Sequence, residues 1–344
     1  MSRNKSIDTL KGIGIFLVVL GHATFVNEKI ITYIFSFHMP LFFIVSGLLM
    51  GLKHESDTDI KTFFAKKLRS MAMPYLCFSI CYTIIDAFSV YFQQISLMDL
   101  KINAVCTLSL AGSGPLWFIP TLLLSEIILF FIIRRFDRMK SLIIGLVIAF
   151  LGLVGGLLFE PVLSTNKENL LILFFMNILV VILRGMFCLV FLAPGYFLSE
   201  YLPKIQQKFS VLQCALGLTL LIINIPLALL NSNPDLHNLN FGNPLLFIVS
   251  AFLGTIGLFL ISNNIPSFKL LTFWGKNSLV IMITHLNFYY LYVGNLFAHA
   301  VNPYITHAKS YIFLFNILLV AMALSSFTAL IVNKFFPWMI GKKK

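Results

Sequence analysis

The residues best suited to chemistry lie near the N-terminus, in the stretch 7–47. This stretch consists of two apolar runs that contain four ionisable side chains, Asp8, Lys11, His22 and His38. An ionisable group inside a membrane segment is costly, so it usually faces the interior of a helix bundle and marks a functional site. Histidine is also the commonest catalytic base at neutral pH. The stretch is therefore predicted to carry catalytic residues, with His22, Lys11 and His38 as candidates.

The spacing of Lys11 and His22 places them on one stripe of a helix. They are eleven residues apart, which corresponds to about three turns and about 16 Å along the helix axis. The pair predicts a cation at one end of the helix, one turn after Asp8, and an imidazole deeper inside. The alternative for a membrane histidine is a hydrogen-bonded contact between helices. Pro40 is predicted to kink the second helix beside His38.

A second candidate group is the basic cluster Lys66, Lys67 and Arg69, which lies shortly before Pro74. Lysine and arginine bind phosphates through charge-assisted hydrogen bonds. The cluster is therefore suited to holding phosphate groups. The alternatives are the general excess of basic residues on the cytoplasmic side and contact with anionic lipids.

Three supporting residues follow along the chain. Trp117 lies in the stretch GPLWFIP, Glu126 is a carboxylate inside an apolar run, and His285 follows the stretch GKNSL. Glu126 is expected to pair with Arg184 or with a histidine. The three membrane histidines do not have the spacing of metal ligands, so no metal is expected.

Composition identifies the class of protein that must position these residues. Of the 344 residues, 59% are apolar and 11% are charged, whereas soluble domains carry about 25% charged residues. The mean hydropathy is +0.92. These values predict an all-α integral membrane protein, a bundle of about ten transmembrane helices that forms a single domain over residues 1–344. The ten apolar runs are 10–27, 30–51, 71–93, 115–133, 141–159, 169–199, 210–231, 243–262, 271–297 and 310–333.

The distribution of charge predicts the orientation in the membrane. The net charge is +12, but most Lys and Arg residues fall in short loops on one side, which is typical of the cytoplasmic face. Both termini are therefore predicted to be cytoplasmic, and nucleic acid is not expected as a partner. The long sixth run is predicted to kink or break at Arg184-Gly185 or at Pro194-Gly195.

Five stretches of the chain together resemble acyltransferase family 3, a family of membrane proteins. The resemblance is greatest to the branch of surface-polysaccharide O-acetyltransferases and fucose 4-O-acetylase-like proteins. The matching stretches, which extend in the family's order over residues 7–285, are IDTLKGIGIFLVVLGH, FHMPLFFIVSG, FFAKKLRSMAMPYL, GPLWFIPTLL and GKNSLVIMITH.

The resemblance implies roles for several residues. Members carry a basic residue, usually arginine, about ten residues before an essential histidine, and here this pair falls on Lys11 and His22. A lysine keeps the charge of the arginine without its planar fork. The family's basic cluster before a proline falls on Lys66, Lys67 and Arg69, which implies binding of acyl-CoA.

The function implied is an O-acyltransferase of the inner membrane. It would move acetyl or another short acyl group from acetyl-CoA to a sugar hydroxyl of a surface polysaccharide or its lipid-linked precursor. His22 would serve as general base or as transient acyl carrier. Membrane lipids are the expected surroundings, and a homo-oligomer is compatible with the sequence. Two rival hypotheses are a transporter or flippase of a glycan, which paired broken helices would favour, and a regulatory membrane protein without catalysis.

Overall fold

The computed structural model describes residues 4–163, 169–205, 210–231, 234–301 and 310–342. These residues are almost entirely helical and contain no β-strand. The helices are α1 (Lys5–Gly21), α2 (Glu28–Phe35), α3 (His38–Leu52), α4 (Ile60–Lys67), α5 (Met73–Tyr91), α6 (Leu97–Leu108), α7 (Phe118–Arg135), α8 (Arg138–Leu163), α9 (Leu170–Phe187), α10 (Leu189–Leu198), α11 (Leu202–Ile205), α12 (Val211–Leu230), α13 (Pro244–Asn264), α14 (Lys269–Lys276), α15 (Ser278–Asn287), α16 (Tyr290–Val301) and α17 (Ser310–Phe335).

The predicted class, an all-α integral membrane protein, is confirmed. In the described chain, eight helical segments are long and apolar enough to cross a membrane, or nine if the bent pair α15–α16 counts as one span. Each of the ten predicted runs overlaps a helix. The run 10–27 corresponds to α1, whose 17 residues extend about 26 Å, slightly less than the hydrocarbon core of a bilayer. Six basic residues used to predict the orientation lie outside the described residues: Arg3, Lys167, Lys208, Lys309, Lys343 and Lys344.

The second apolar run forms one membrane-length segment, Glu28–Leu52, whose helix is interrupted by a short turn beside His38. α2 ends at Phe35 and α3 begins at His38, with Ser36 and Phe37 between them. Pro40 lies in the first turn of α3, where the missing N–H costs nothing because no helical carbonyl is available to accept it. The break therefore places His38 at the start of a helix.

Two other spans are also interrupted. The sixth run divides at Cys188, between α9 and α10, so the break lies close to Arg184-Gly185 but beyond it. Pro194 lies inside α10 without ending that helix. A sharper bend of 64° separates α15 from α16, and there Tyr289 has a positive φ of 58°.

The chain divides into two compact units. Unit 1 comprises residues 1–42, 201–235 and 241–331, and unit 2 comprises residues 43–200, 236–240 and 332–344. The prediction of a single domain over 1–344 stays a prediction.

In unit 1, the backbones of α1 and α14 touch through two glycines. A Cβ added at Gly12 would lie 2.0 Å from the backbone oxygen of Leu271, and one added at Gly275 would lie 1.8 Å from that of Asp8. Only glycine permits so close an approach of two helices. This contact holds α14, and α15 directly after it, against the helix that ends beside His22.

In unit 2, the segment Leu68–Ala72 between α4 and α5 is a π-helix. Such segments are rare and occur frequently at functional sites. Gly341, with φ at +71°, packs on this segment so closely that a Cβ there would lie 2.2 Å from the backbone oxygen of Arg69. The end of the described chain therefore packs against the segment that carries Arg69.

Candidate active site

His22 lies at the exposed C-terminal end of α1. Its Nδ1 donates a hydrogen bond of 2.8 Å to the carbonyl oxygen of Val18. Because a carbonyl can only accept, the hydrogen bond places the proton of the neutral ring on Nδ1 and leaves a lone pair on Nε2. His22 is thus held in the tautomer whose Nε2 can act as a base.

His38 and His285 are held in the same tautomer. His38 Nδ1 donates to the carbonyl oxygen of Ile34 at 2.9 Å, and His285 Nδ1 donates to that of Met282 at 2.6 Å. Both side chains are buried, with 4% and 0% exposure respectively. Each buried ring therefore also has an Nε2 that accepts hydrogen bonds.

Unit 1 brings these three imidazoles together, and we call them the imidazole cluster. The ring centroids of His22 and His285 are 5.1 Å apart. The ring of Phe35 lies 5.7 Å from His22 and 4.8 Å from His38, so Phe35 packs against both of these imidazoles. Asp235 interacts electrostatically with His22. The cluster combines residues from α1, α3 and α15 with a carboxylate from the loop after α12.

Lys11 and Asp8 lie on α1, away from its His22 end. Asp8 is buried in the first turn and Lys11 is half-buried. Eleven residues of α-helical rise separate Lys11 from His22 by about 16 Å. A ligand that contacts both Lys11 and His22 must therefore do so with different parts of its structure.

The imidazole cluster is suited to proton transfer. Three neutral rings in close proximity offer basic Nε2 atoms, but a second proton on the cluster would be disfavoured by repulsion from the first. The exposed His22 is the member that an incoming hydroxyl can reach. No group of three or more His, Cys, Asp or Glu residues suitable for a metal occurs in the part of the chain that the structure describes.

In unit 2, Lys67 is buried between the carboxylates of Glu126 and Glu55, and we call these three residues the ion-pair cluster. The Nζ of Lys67 lies 2.8 Å from Glu126 Oε2 and 3.5 Å from Glu55 Oε2. The hydroxyl of Ser46 also donates a hydrogen bond to Glu126. All three charged groups are buried, with exposures of 6% or less. Glu126 thus has a lysine as its ion-pair partner, whereas Arg184 or a histidine was expected.

The other basic residues of the expected phosphate site lie nearer to solvent. Lys66 is 43% exposed and forms an ion pair with Glu55. Arg69 is exposed in the π-helical segment. In the loop after α3, burial lowers the pKa of Lys53, and the neighbouring cation of Lys66 lowers it further. The cations of Lys53 and Lys66 are thus close enough to repel one another.

Trp117 lies between a cation and an imidazole. The guanidinium of Arg184 lies 4.8 Å from the Trp117 ring centroid, and the ring of His237 stacks on Trp117 at 5.3 Å. Arg184 is buried and donates hydrogen bonds to Thr121 Oγ1 at 2.7 Å and to the carbonyl oxygen of His237 at 2.7 Å. These hydrogen bonds compensate the buried Arg184 guanidinium for the loss of water, which a charged group inside a protein requires.

Unit 2 also contains a cavity of about 390 Å³ with almost wholly apolar walls. Its polar groups are already used, since the hydroxyl of Tyr75 donates to the Thr107 carbonyl and that of Ser109 donates to the Val105 carbonyl. The volume is in the range of small-molecule sites, but such sites normally add a few available polar groups.

Several contributing residues escaped the sequence analysis. Phe35 and Asp235 accompany the imidazoles, and Glu55 and His237 contact Lys67 and Trp117 respectively. Glu55, Asp235 and His237 lie in polar loops, where ionisable residues carry no particular signal. The unusual mixture of charges within the short loop KHESDTD offered a hint for Glu55 alone.

Comparison with known proteins gives one match. Residues 4–332 match the sequence model of a single family, the acyltransferase domain of acyltransferase family 3. No curated protein and no solved structure matches the chain significantly.

Proposed function

Because the chain belongs to acyltransferase family 3, we propose that it is an O-acyltransferase that uses acetyl-CoA. The acceptor is a sugar hydroxyl of a cell-surface polysaccharide or of its lipid-linked precursor, as in the fucose 4-O-acetylase-like branch. The observation that supports this best is the imidazole cluster, in which an exposed His22 keeps a basic Nε2 inside a membrane protein.

In the proposed reaction, His22 is the general base. Its Nε2 takes the proton of the acceptor hydroxyl while the hydroxyl oxygen bonds to the thioester carbonyl carbon. The C–S bond then breaks, and the proton passes from His22 to the leaving thiolate, which yields free CoA thiol and the acetyl ester. In the alternative route, Nε2 itself takes the acetyl group and then passes it to the hydroxyl.

The proposed site for the CoA phosphates is the exposed basic surface formed by Lys66 and Arg69 in unit 2. Lys67 lies next to this surface in the sequence but is not proposed to contact a phosphate, because Glu126 and Glu55 already compensate its charge. Ammonium and guanidinium groups form strong hydrogen bonds to phosphate oxygens. This proposal requires the basic surface to face the cytoplasm, where acetyl-CoA is available.

The proposed location is the bacterial inner membrane, with both termini cytoplasmic. The excess of Lys and Arg in the loops on one side supports this orientation. Membrane lipids surround the helices, the acceptor glycan is the partner, and a homo-oligomer is compatible with this arrangement. No nucleic acid and no metal take part.

The test is transfer of labelled acetyl from acetyl-CoA into the host's surface polysaccharide. Wild type, a deletion strain and His22→Ala are compared at equal expression. We expect label in the wild type and none in the other two strains. Incorporation that survives in His22→Ala would refute the role of His22, and incorporation that survives the deletion would refute the enzyme.

One observation favours a second function, transport of a glycan or an acylated intermediate. Within unit 1, the helices α15 and α16 meet at a bend of 64°, and broken helices often form the substrate sites of transporters. In that case the deletion strain would keep its label but accumulate it in precursor inside the cell.

A further inference from the structure

His285 has a buried nitrogen with an unused hydrogen bond. Its Nδ1 is bonded to the Met282 carbonyl, but among the described residues no donor lies within hydrogen-bond distance of its Nε2. The side chain has 0% exposure. Leaving a buried acceptor unsatisfied is destabilising, so such an atom in a functional region calls for a donor that is present only in another state.

His22 is the group able to supply that donor. Its ring is in contact with the ring of His285, at a centroid distance of 5.1 Å. In the neutral state both rings carry their proton on Nδ1, which is bonded to a carbonyl in each case. Two rings in this tautomer each have only a lone pair on Nε2, so their Nε2 atoms cannot hydrogen-bond to one another. Once His22 gains a proton on Nε2, it becomes a donor, and one hydrogen bond becomes available.

His38 is less suited to the same role. Its ring is separated from His22 by Phe35, which contacts both rings. The remaining groups that act electrostatically on the pair are His38, which interacts with His285, and Asp235, which interacts with His22. Asp235 belongs to a loop and does not explain the unused nitrogen of His285.

We infer that His285 is a positioning residue whose Nε2 accepts a hydrogen bond from the protonated form of His22. The inference rests on the proposed role of His22 as base. The acceptor hydroxyl gives its proton to His22 Nε2, the new N–H turns onto His285 Nε2, and the proton then returns to the leaving thiolate. His285 thus increases the basicity of His22 without binding to it in the resting state.

The experiment compares His285→Phe with His285→Gln in membrane vesicles that contain the full chain. Phenylalanine keeps an aromatic ring without an acceptor, whereas the glutamine amide oxygen can still accept. For His285→Phe we expect acetyl transfer at neutral pH to fall about 10- to 100-fold and the acidic limb of the pH–rate profile to move about one unit lower. For His285→Gln we expect the limb to stay near that of the wild type. The matched control is His299→Phe, which changes a histidine packed on Phe25 and Phe313.

A second measurement separates this inference from the proposed function. ¹⁵N spectra of the histidine rings are recorded against pH for the purified full chain in lipid nanodiscs, with the His22 signal assigned from His22→Ala. We expect His22 to titrate at lower pH in His285→Phe than in the wild type, whether or not acetyl transfer is detected. A His22 titration that is the same in both proteins would overturn the inference. A rate loss with an unmoved acidic limb would do the same, because it indicates a purely structural role.

Discussion

The imidazole cluster of unit 1 and the ion-pair cluster of unit 2 differ in whether their buried polar groups are fully paired. In the ion-pair cluster, Lys67 is compensated by two carboxylates. In the imidazole cluster, each ring uses one nitrogen for a helix carbonyl, and the other nitrogen of His285 has no donor among the residues that the structure describes.

This difference in pairing leads us to expect that the ion-pair cluster affects the stability of the protein and the imidazole cluster affects its reactivity. A buried charge that loses its partner is strongly destabilising, so the loss of one member of the ion-pair cluster should lower the stability of unit 2. Neutral imidazoles carry no such penalty and can gain and lose a proton. We therefore expect substitutions in the first cluster to change the rate, and substitutions in the second to change the stability.

The largest expected effect is that of His22→Ala on the rate. Loss of the general base should lower acetyl transfer by at least about 10³-fold, while the midpoint of thermal unfolding in detergent stays within a few degrees because His22 is exposed. Rate and thermal unfolding are measured on the same preparation. A large fall in the unfolding midpoint would show that this cluster is structural and would remove the contrast between the two regions.

Glu126→Ala should mainly lower the stability of the protein, in contrast to His22→Ala, which should mainly lower the rate. It leaves the buried Lys67 ammonium with only the more distant Glu55, so we expect a loss of about 3–5 kcal/mol in the free energy of unfolding. The measurement is denaturation of the purified protein followed by its tryptophan fluorescence. The matched control is Glu200→Ala, which removes a 62% exposed carboxylate paired with Arg138 and should cost about 0–1 kcal/mol. Equal costs for the two variants would contradict the assignment.

Replacing both partners should recover much of that loss. In Lys67→Met combined with Glu126→Leu, neither charge remains to be desolvated, so we expect the double variant to be about 1–3 kcal/mol more stable than Glu126→Ala. The same unfolding experiment measures it. A double variant less stable than Glu126→Ala would show that Lys67 itself has a further structural role.

The smallest effects are expected on the basic surface. Lys66→Ala and Arg69→Ala should each raise KM for acetyl-CoA about 5- to 10-fold with little change in kcat, because each removes a charge-assisted hydrogen bond to a phosphate. Higher ionic strength should reduce the difference from the wild type. Lys140→Ala, at an exposed lysine paired with Asp137, is the control. Unchanged KM in both variants would move the CoA site away from this surface.

Much of the fold could be predicted from the sequence, since the length and hydropathy of a segment are local properties. Each of the ten apolar runs overlaps a helix. The breaks were harder to place. The proline near His38 correctly marked a disturbed helix, but a proline in a first turn and one that kinks a helix differ only in where the helix begins.

What only the tertiary structure decided is which of these residues meet. His285 lies more than 260 positions beyond His22 in the chain, and their contact depends on the glycines that bring α14 to α1. Glu126 was expected near Arg184 or a histidine and instead pairs with Lys67. Hydropathy determines that a segment is a membrane helix, but the partner of a polar side chain depends on helix rotation and crossing. Those are set by packing between segments distant in the sequence.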